Sequence, residues 1–109
     1  MLSSDTIRGH LDSIILRLII EKDRYGYEIS KEILARTDNK FKIKEAPLYA
    51  VFQRLEKKDL IKSYHGDVTH GRKRKYYYIT TLGRAYYREK IIEWEATKKI
   101  INIFMEGLE

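Results

Sequence analysis

Residues 82 to 104 read as one long helix that carries apolar side chains on two opposite sides. At about 100° per residue, Leu82, Ala85, Ile92, Ala96, Ile100 and Ile103 gather on one side. Tyr87, Trp94, Ile101, Met105 and Leu108 line up nearly opposite, with Tyr87, Trp94, Ile101 and Leu108 at heptad spacing. A chain of 109 residues builds one small domain, and one small domain cannot cover both sides of a terminal helix. The second seam therefore predicts a partner, and the simplest partner is another copy of the chain. A helix from Leu11 to about Asp23 repeats the pattern: Leu11, Ile14, Ile15, Leu18 and Ile19 form one face, and Leu16 and Ile20 add a second. The expected homodimer interface thus comprises Leu16, Ile20, Tyr87, Trp94, Ile101, Met105 and Leu108.

The chain has no cysteine, which removes disulfides, thiolate metal sites and a cysteine nucleophile, and leaves oligomerisation as the supplement to a small core. Its first residues lack the basic and apolar regions of a signal peptide, and its longest apolar runs fall far short of a membrane span. A soluble cytoplasmic protein is expected. The formal charge of +6 is concentrated: residues 40 to 75 hold eleven Lys and Arg against four Asp and Glu, whereas the rest of the chain holds eleven against twelve. A surplus carried by a third of the chain points to a polyanion-binding face rather than to general solubility.

Between the two amphipathic ends, Tyr27, Ile29, Ile33 and Leu34 give a second helix that Thr37-Asp38-Asn39 terminates. Pro47, the only proline, opens a third, because first-turn amides lack intrahelical acceptors and its missing N–H costs nothing there. In that helix Leu48, Val51, Phe52 and Leu55 share the buried face; Ala46, Tyr49, Ala50, Gln53 and Lys57 face outward, with Arg54 at the margin. Residues 60 to 65 and 73 to 79 read as a hairpin with a long basic tip, and Thr80 or Thr81 caps the last helix.

Helix, helix, proline-started helix, hairpin, helix is the order of a winged helix-turn-helix: mainly α with a small β-hairpin, residues 1–80 binding DNA and 81–109 forming a C-terminal dimerisation helix. The third helix is then the recognition helix. Gln53 is placed to pair with adenine, Arg54 or Lys57 with guanine or phosphate, and Tyr49 with phosphate, flanked by Lys42 and Lys44. Arg72, Lys73, Arg74 and Lys75, at or just past the wing tip, are placed on phosphates or in the minor groove. Alternation sends Tyr77 and Ile79 to one face of the strand and Tyr76 and Tyr78 to the other, which favours packing over a base-stacking platform. His65, Asp67 and His70 are too weak a set for a metal, and no cofactor is expected. The three histidines have no nucleophile at recognisable spacing and there is no glycine-rich phosphate loop, so an enzyme is not expected. Trp94 reads as interface packing, with stacking of a ligand in a dimer cavity as the alternative. A winged-helix protein-interaction module without nucleic acid is the other function class.

Residues 46 to 56 (APLYAVFQRLE), Leu60-Ile61, and residues 74 to 83 (RKYYYITTLG), together with Tyr25-Gly26-Tyr27-Glu28-Ile29, resemble the PadR-like family of transcriptional regulators, over about residues 10 to 104. The resemblance implies a winged-helix homodimer, usually a repressor, with the first and last helices at the dimer contact. The single short C-terminal helix is similar to a compact branch, some members of which bind flat aromatic compounds between subunits with a tryptophan; Trp94 stands in the corresponding place. Two residues depart from the pattern: Asp59 stands where glycine is common, and Phe52 where leucine is common.

Overall fold

The computed structural model describes residues 4–69 and 72–108. A one-turn helix, α1 (Ser4–Arg8), precedes α2 (Leu11–Glu21); a two-residue strand β1 (Arg24–Tyr25) leads into α3 (Gly26–Arg36); α4 (Glu45–Lys57), the hairpin β2 (Ile61–Thr69) and β3 (Arg72–Ile79), and α5 (Thr81–Met105) complete the chain. The order is that of a winged helix-turn-helix followed by a long helix, mainly α with a small antiparallel sheet. The sheet order is β1-β3-β2, and β1 pairs Arg24 with Tyr77 and Tyr25 with Tyr76. No periodicity announces a two-residue strand, so α1 and β1 are additions to the expected order.

Local chemistry sets most boundaries. At the start of α3, the Tyr25 N–H donates to the Glu28 carboxylate at 3.2 Å. The helix ends at Thr37, after which Asp38 and Asn39 take left-handed φ values of 51° and 63°. α4 begins at Glu45, two residues before Pro47, which still lies in the first turn where no donor is missed. Thr80 is the N-cap of α5, its hydroxyl accepting from the Gly83 N–H at 2.9 Å.

Leu48, Val51, Phe52 and Leu55 of α4 are buried as their spacing predicts. Phe52 stacks on Tyr77 of β3 with centroids 4.1 Å apart, which joins helix-turn-helix to wing. Leu16, expected at a dimer interface, is instead 0% exposed within its own chain. The reason is that α2 packs on β3 and α4 as well as on α5, which leaves Leu16 inside the core cluster. A charge cluster ties α2 to α3: Glu21 bonds Arg36, Arg17 and Arg24. Arg36 first, then Arg17, lowers its carboxyl to about 2.

α5 is rotated relative to expectation. Gly83 is buried, Tyr86 and Tyr87 pack on the core, and the Trp94 ring meets His10 edge-on at 5.0 Å. The other side stays outside: Ile92 and Ile103 are 70% and 71% exposed. Gly83 decides this, because a Cβ there would stand 2.1 Å from the Leu60 carbonyl oxygen, so only that side of the helix can approach the base of the wing. From Lys99 to Leu108 every residue is exposed, and the radius of gyration is 15.9 Å, against about 13 Å for a compact chain of this length. The end of α5 projects beyond the domain.

Candidate nucleic-acid interface

Ala46, Tyr49, Ala50, Gln53 and Lys57 are exposed along one side of α4, opposite its buried face. The approach to the helix alternates: Phe41 and Ile43 are buried while Lys40, Lys42 and Lys44 are exposed, so burial of the apolar pair turns the lysines outward beside the helix N-terminus. Among the described residues, none hydrogen-bonds or ion-pairs with the side chains of Lys42, Lys44, Gln53 or Lys57. Tyr49 packs edge-on against Phe52, and its hydroxyl abuts α3, where a Cβ on Gly26 would stand 3.0 Å away. The result is a small, polar face of one helix with free cations at both ends, a surface shaped for a groove of duplex DNA.

Arg54 is placed differently from its four neighbours. Its guanidinium forms a two-point pair with the Asp12 carboxylate of α2, with Nε donating at 3.3 Å. The Asp12 hydrogen bond raises its pKa, and Arg54 thereby clamps α4 to α2 instead of standing free for a base. Arg54→Ala is expected to reduce unfolding stability by roughly 0.5–1 kcal/mol, as for a half-exposed ion pair, and to leave the salt slope of DNA binding unchanged; a denaturant melt and binding at several salt concentrations check both.

The run of wing cations divides by strand alternation. Arg74 lies 4.5 Å above the Tyr25 ring on the outer face; Lys75 pairs with Glu56 at 3.8 Å and sits over Tyr77 on the inner one. Lys73 is exposed and unpaired among the described residues. The side chain of Arg72 lies outside the described residues, as do the side chain of Asp67 and the whole of His70. Tyr77 is buried, and burial pushes its hydroxyl up to about 12. Tyr76 and Tyr78 lie on the outer face, where Tyr64, directly opposite Tyr76, stacks on Tyr76 at 5.6 Å and leans on Tyr78 at 6.0 Å. The rings pack on one another, while Tyr64 and Tyr78 stay 43% and 37% exposed. Tyr64 also donates to Asp23 at 2.7 Å, a bond that raises its pKa to about 12. Tyr64 and Asp23 were not legible as partners because only the strand register brings them together.

An apolar groove of about 780 Å³ runs between α2, the α3–α4 turn and α5. Ile14, Leu18, Ile33, Phe41, Ile91 and Trp94 line it. Trp94 is 46% exposed there, with Lys98 Nζ 5.8 Å above its ring. Among the described residues, no three His, Asp or Glu converge as metal ligands, and no helix is long and apolar enough to cross a membrane.

Residues 15–89 match the Transcriptional regulator PadR-like family. The chain belongs to that family. It is 70% identical over all 109 residues to a Lysinibacillus sphaericus protein of uncharacterised function, with both chains covered in full. A solved transcriptional regulator from Clostridium thermocellum is 55% identical, with a TM-score of 0.90 over 97% of this chain and 100% of that one. A solved PadR family transcription regulator from Clostridium difficile is 38% identical, with a TM-score of 0.77 over 90% of this chain and 100% of that one. This PadR-like protein is therefore a DNA-binding transcriptional regulator, not an enzyme. Its two departures from the family pattern have local explanations. Asp59 holds the left-handed φ of 60° that glycine usually supplies, at a strain of roughly 1 kcal/mol, while its carbonyl accepts from the Thr80 hydroxyl at 2.8 Å. Phe52 supplies the ring that stacks on Tyr77.

Proposed function

We propose that this chain is a homodimeric, sequence-specific transcriptional repressor of the cytoplasm, released from DNA by a planar aromatic effector at the dimer interface. The observation that carries the DNA part is the outward face of α4, with Tyr49 and Gln53 at its centre and unpaired Lys42, Lys44 and Lys57 around it. Gln53 reads a base edge; Tyr49, Lys42, Lys44, Lys57 and the wing cation Lys73 hold the backbone. Residues 1–80 form the DNA-binding part and 81–109 the dimerisation helix. Two copies then read a roughly palindromic operator with half-sites about 34–36 Å apart. Selection of bound fragments from random duplexes tests this: a recovered inverted repeat supports it, and retention with no shared sequence opposes it.

The dimer part rests on two surfaces of matching character in one chain, the apolar groove and the projecting end of α5 with Ile101, Phe104 and Met105 exposed, followed by exposed Leu108. Each end of α5 packs against the partner's groove, in which Trp94 forms the wall that a flat effector stacks on. Of the residues expected at this contact from the sequence, Ile101, Met105 and Leu108 lie on the projecting end, Tyr87 and Trp94 line the groove, and Ile20 is half-buried. Phe104→Glu with Leu108→Glu is expected to give monomers by sedimentation and to weaken operator binding by at least a hundredfold, since each half-site is then bound alone. Dimers that persist in this variant refute the arrangement. Quenching of Trp94 fluorescence by planar aromatic compounds, with loss of operator binding at the same concentrations, checks the effector.

A further inference from the structure

Glu21, at the end of α2, accepts from three arginines that reach it from different elements. Arg17, one turn earlier in α2, donates from Nε at 2.8 Å. The same guanidinium donates to the Tyr87 hydroxyl of α5, the largest cause of its raised pKa. Arg36, at the end of α3, donates to Glu21 from Nη1 at 3.0 Å and holds Glu32 with Nε at 2.8 Å. Arg24 of β1 donates from Nη2 at 3.2 Å. Arg24 is only 8% exposed, and its Nε donates to the Leu18 carbonyl at 2.8 Å.

Two of these arginines, Arg17 and Arg36, line the apolar groove together with Tyr87. The third is tied to the DNA-binding side of the fold: Arg24 pairs with Tyr77 in the sheet, and the Tyr77 ring stacks on Phe52 of α4 at 4.1 Å. One carboxylate with two oxygens serves three guanidiniums, so a change in one pair alters the other two. From this geometry we infer that Glu21 couples the groove to the recognition helix and wing. An occupant whose acceptor oxygen takes Arg17 or Arg36 from Glu21 unties α2 from α5 or α3 and shifts the carboxylate that holds Arg24. The coupling comes from differential contacts: the occupant binds best where an arginine has left Glu21, and the duplex binds best where none has. The inference rests on the reading of the groove as an effector site and adds the route by which occupancy there reaches DNA. Arg17, Glu21 and Arg36 are positioning residues in it, and none of them touches the duplex.

The chain has no cysteine, so Ser13→Cys gives a single attachment point in the groove, one turn from Arg17 on α2. Reaction of the full-length variant with N-(1-naphthyl)maleimide tethers an aromatic ring and acceptor oxygens there. Affinity for the selected operator is measured with and without the tether, with Glu21 intact and with Glu21→Gln, and dimers are followed by sedimentation. The tether alone and Glu21→Gln alone are each expected to weaken operator binding about tenfold, within the range of roughly 5–150-fold for coupled sites. Combined, they are still expected to weaken it about tenfold, because both act on one element and their effects do not add. Arg36→Lys keeps the charge but loses the two-point grip; it is expected to repeat this cycle and replaces Glu21→Gln if that variant does not fold. A combined loss of about a hundredfold, as for independent effects, overturns the inference, and so does a tether without effect in intact dimers. A tether that acts by splitting the dimer overturns it too. Trp94 fluorescence unquenched by every planar compound, with a non-additive cycle, overturns the effector reading but not the coupling. Absence of duplex binding by the unlabelled wild-type protein overturns the DNA-binding reading and this inference with it.

Discussion

Replacement of Lys42, Lys44, Lys57 and Lys73 together by alanine is expected to remove most of the salt dependence of duplex binding and most of the affinity with it. The four ammonium groups are exposed at the two ends of α4 and on the wing, and none has a partner among the described residues. Each that meets a phosphate displaces condensed counterions, worth about 0.9 in the slope of log K against log salt, so about eight contacts per dimer give a slope near −7. A protein with that many contacts loses roughly 10³–10⁵ in affinity between 50 and 200 mM salt, and the variant is expected to be weak and much less steep over that range. Because the lysines hold nothing in the fold, Tm stays within about 2 °C of wild type. Fluorescence anisotropy with a labelled operator across a salt series makes the measurement. A steep slope retained by the variant places the phosphate contacts elsewhere on the molecule. Gln53→Ala provides the contrast, with the slope kept and the preference between operator and random duplex reduced by about 1–3 kcal/mol.

Gly83→Ala is expected to be the most destabilising single methyl in the chain. Its Cβ would stand 2.1 Å from the Leu60 oxygen, 3.0 Å from the Leu60 carbonyl carbon and 2.7 Å from the Ile79 side chain. Ile79 can adjust, but the Leu60 carbonyl is held where it is, accepting from the Thr80 N–H at 3.2 Å and the Thr80 hydroxyl at 3.0 Å. Making room means withdrawing the start of α5 from the wing, which breaks its N-cap and unpacks Tyr86 and Tyr87 together. A loss of about 3 kcal/mol or more follows, at the upper end for overpacking, and a Tm lower by more than about 12 °C for a domain of this size. Gly9→Ala, where nothing lies within 4 Å of the added methyl, should shift Tm by no more than about 2–4 °C. Differential scanning calorimetry of the two variants decides the matter, and comparable small shifts would mean that α5 does not seat against the wing as described.

Much of this architecture was legible because amphipathic periodicity is a local property. The buried face of α4, the breaker at residues 37–39, the cap at Thr80 and the alternation of Tyr76, Tyr77 and Tyr78 each depend on a few consecutive residues. The free cations Lys42, Lys44, Lys57 and Lys73 were likewise legible as a concentration of charge. Failures came where two distant segments compete for one side chain. Arg54 reads as a groove contact until α2 brings Asp12 to it. Leu16 reads as surplus apolar surface until the fold encloses it in the core. The inward side of α5 is not legible in the sequence since both seams are apolar, and the choice between them lies in the contact of Gly83 with Leu60, residues 23 positions apart in sequence. The Tyr64–Asp23 bond depends on strand register in the same way.

By itself the sequence determined the set of elements, the buried side of the recognition helix, the basic third of the chain and the need for a partner, all of which follow from side-chain type at short spacing. Only the tertiary structure decided which cations stay free, which seam of α5 turns inward and which charged and apolar surfaces remain exposed. The physical reason is that availability is a difference: a charged or apolar group serves function only if no other part of the chain has already satisfied it, and packing alone settles that.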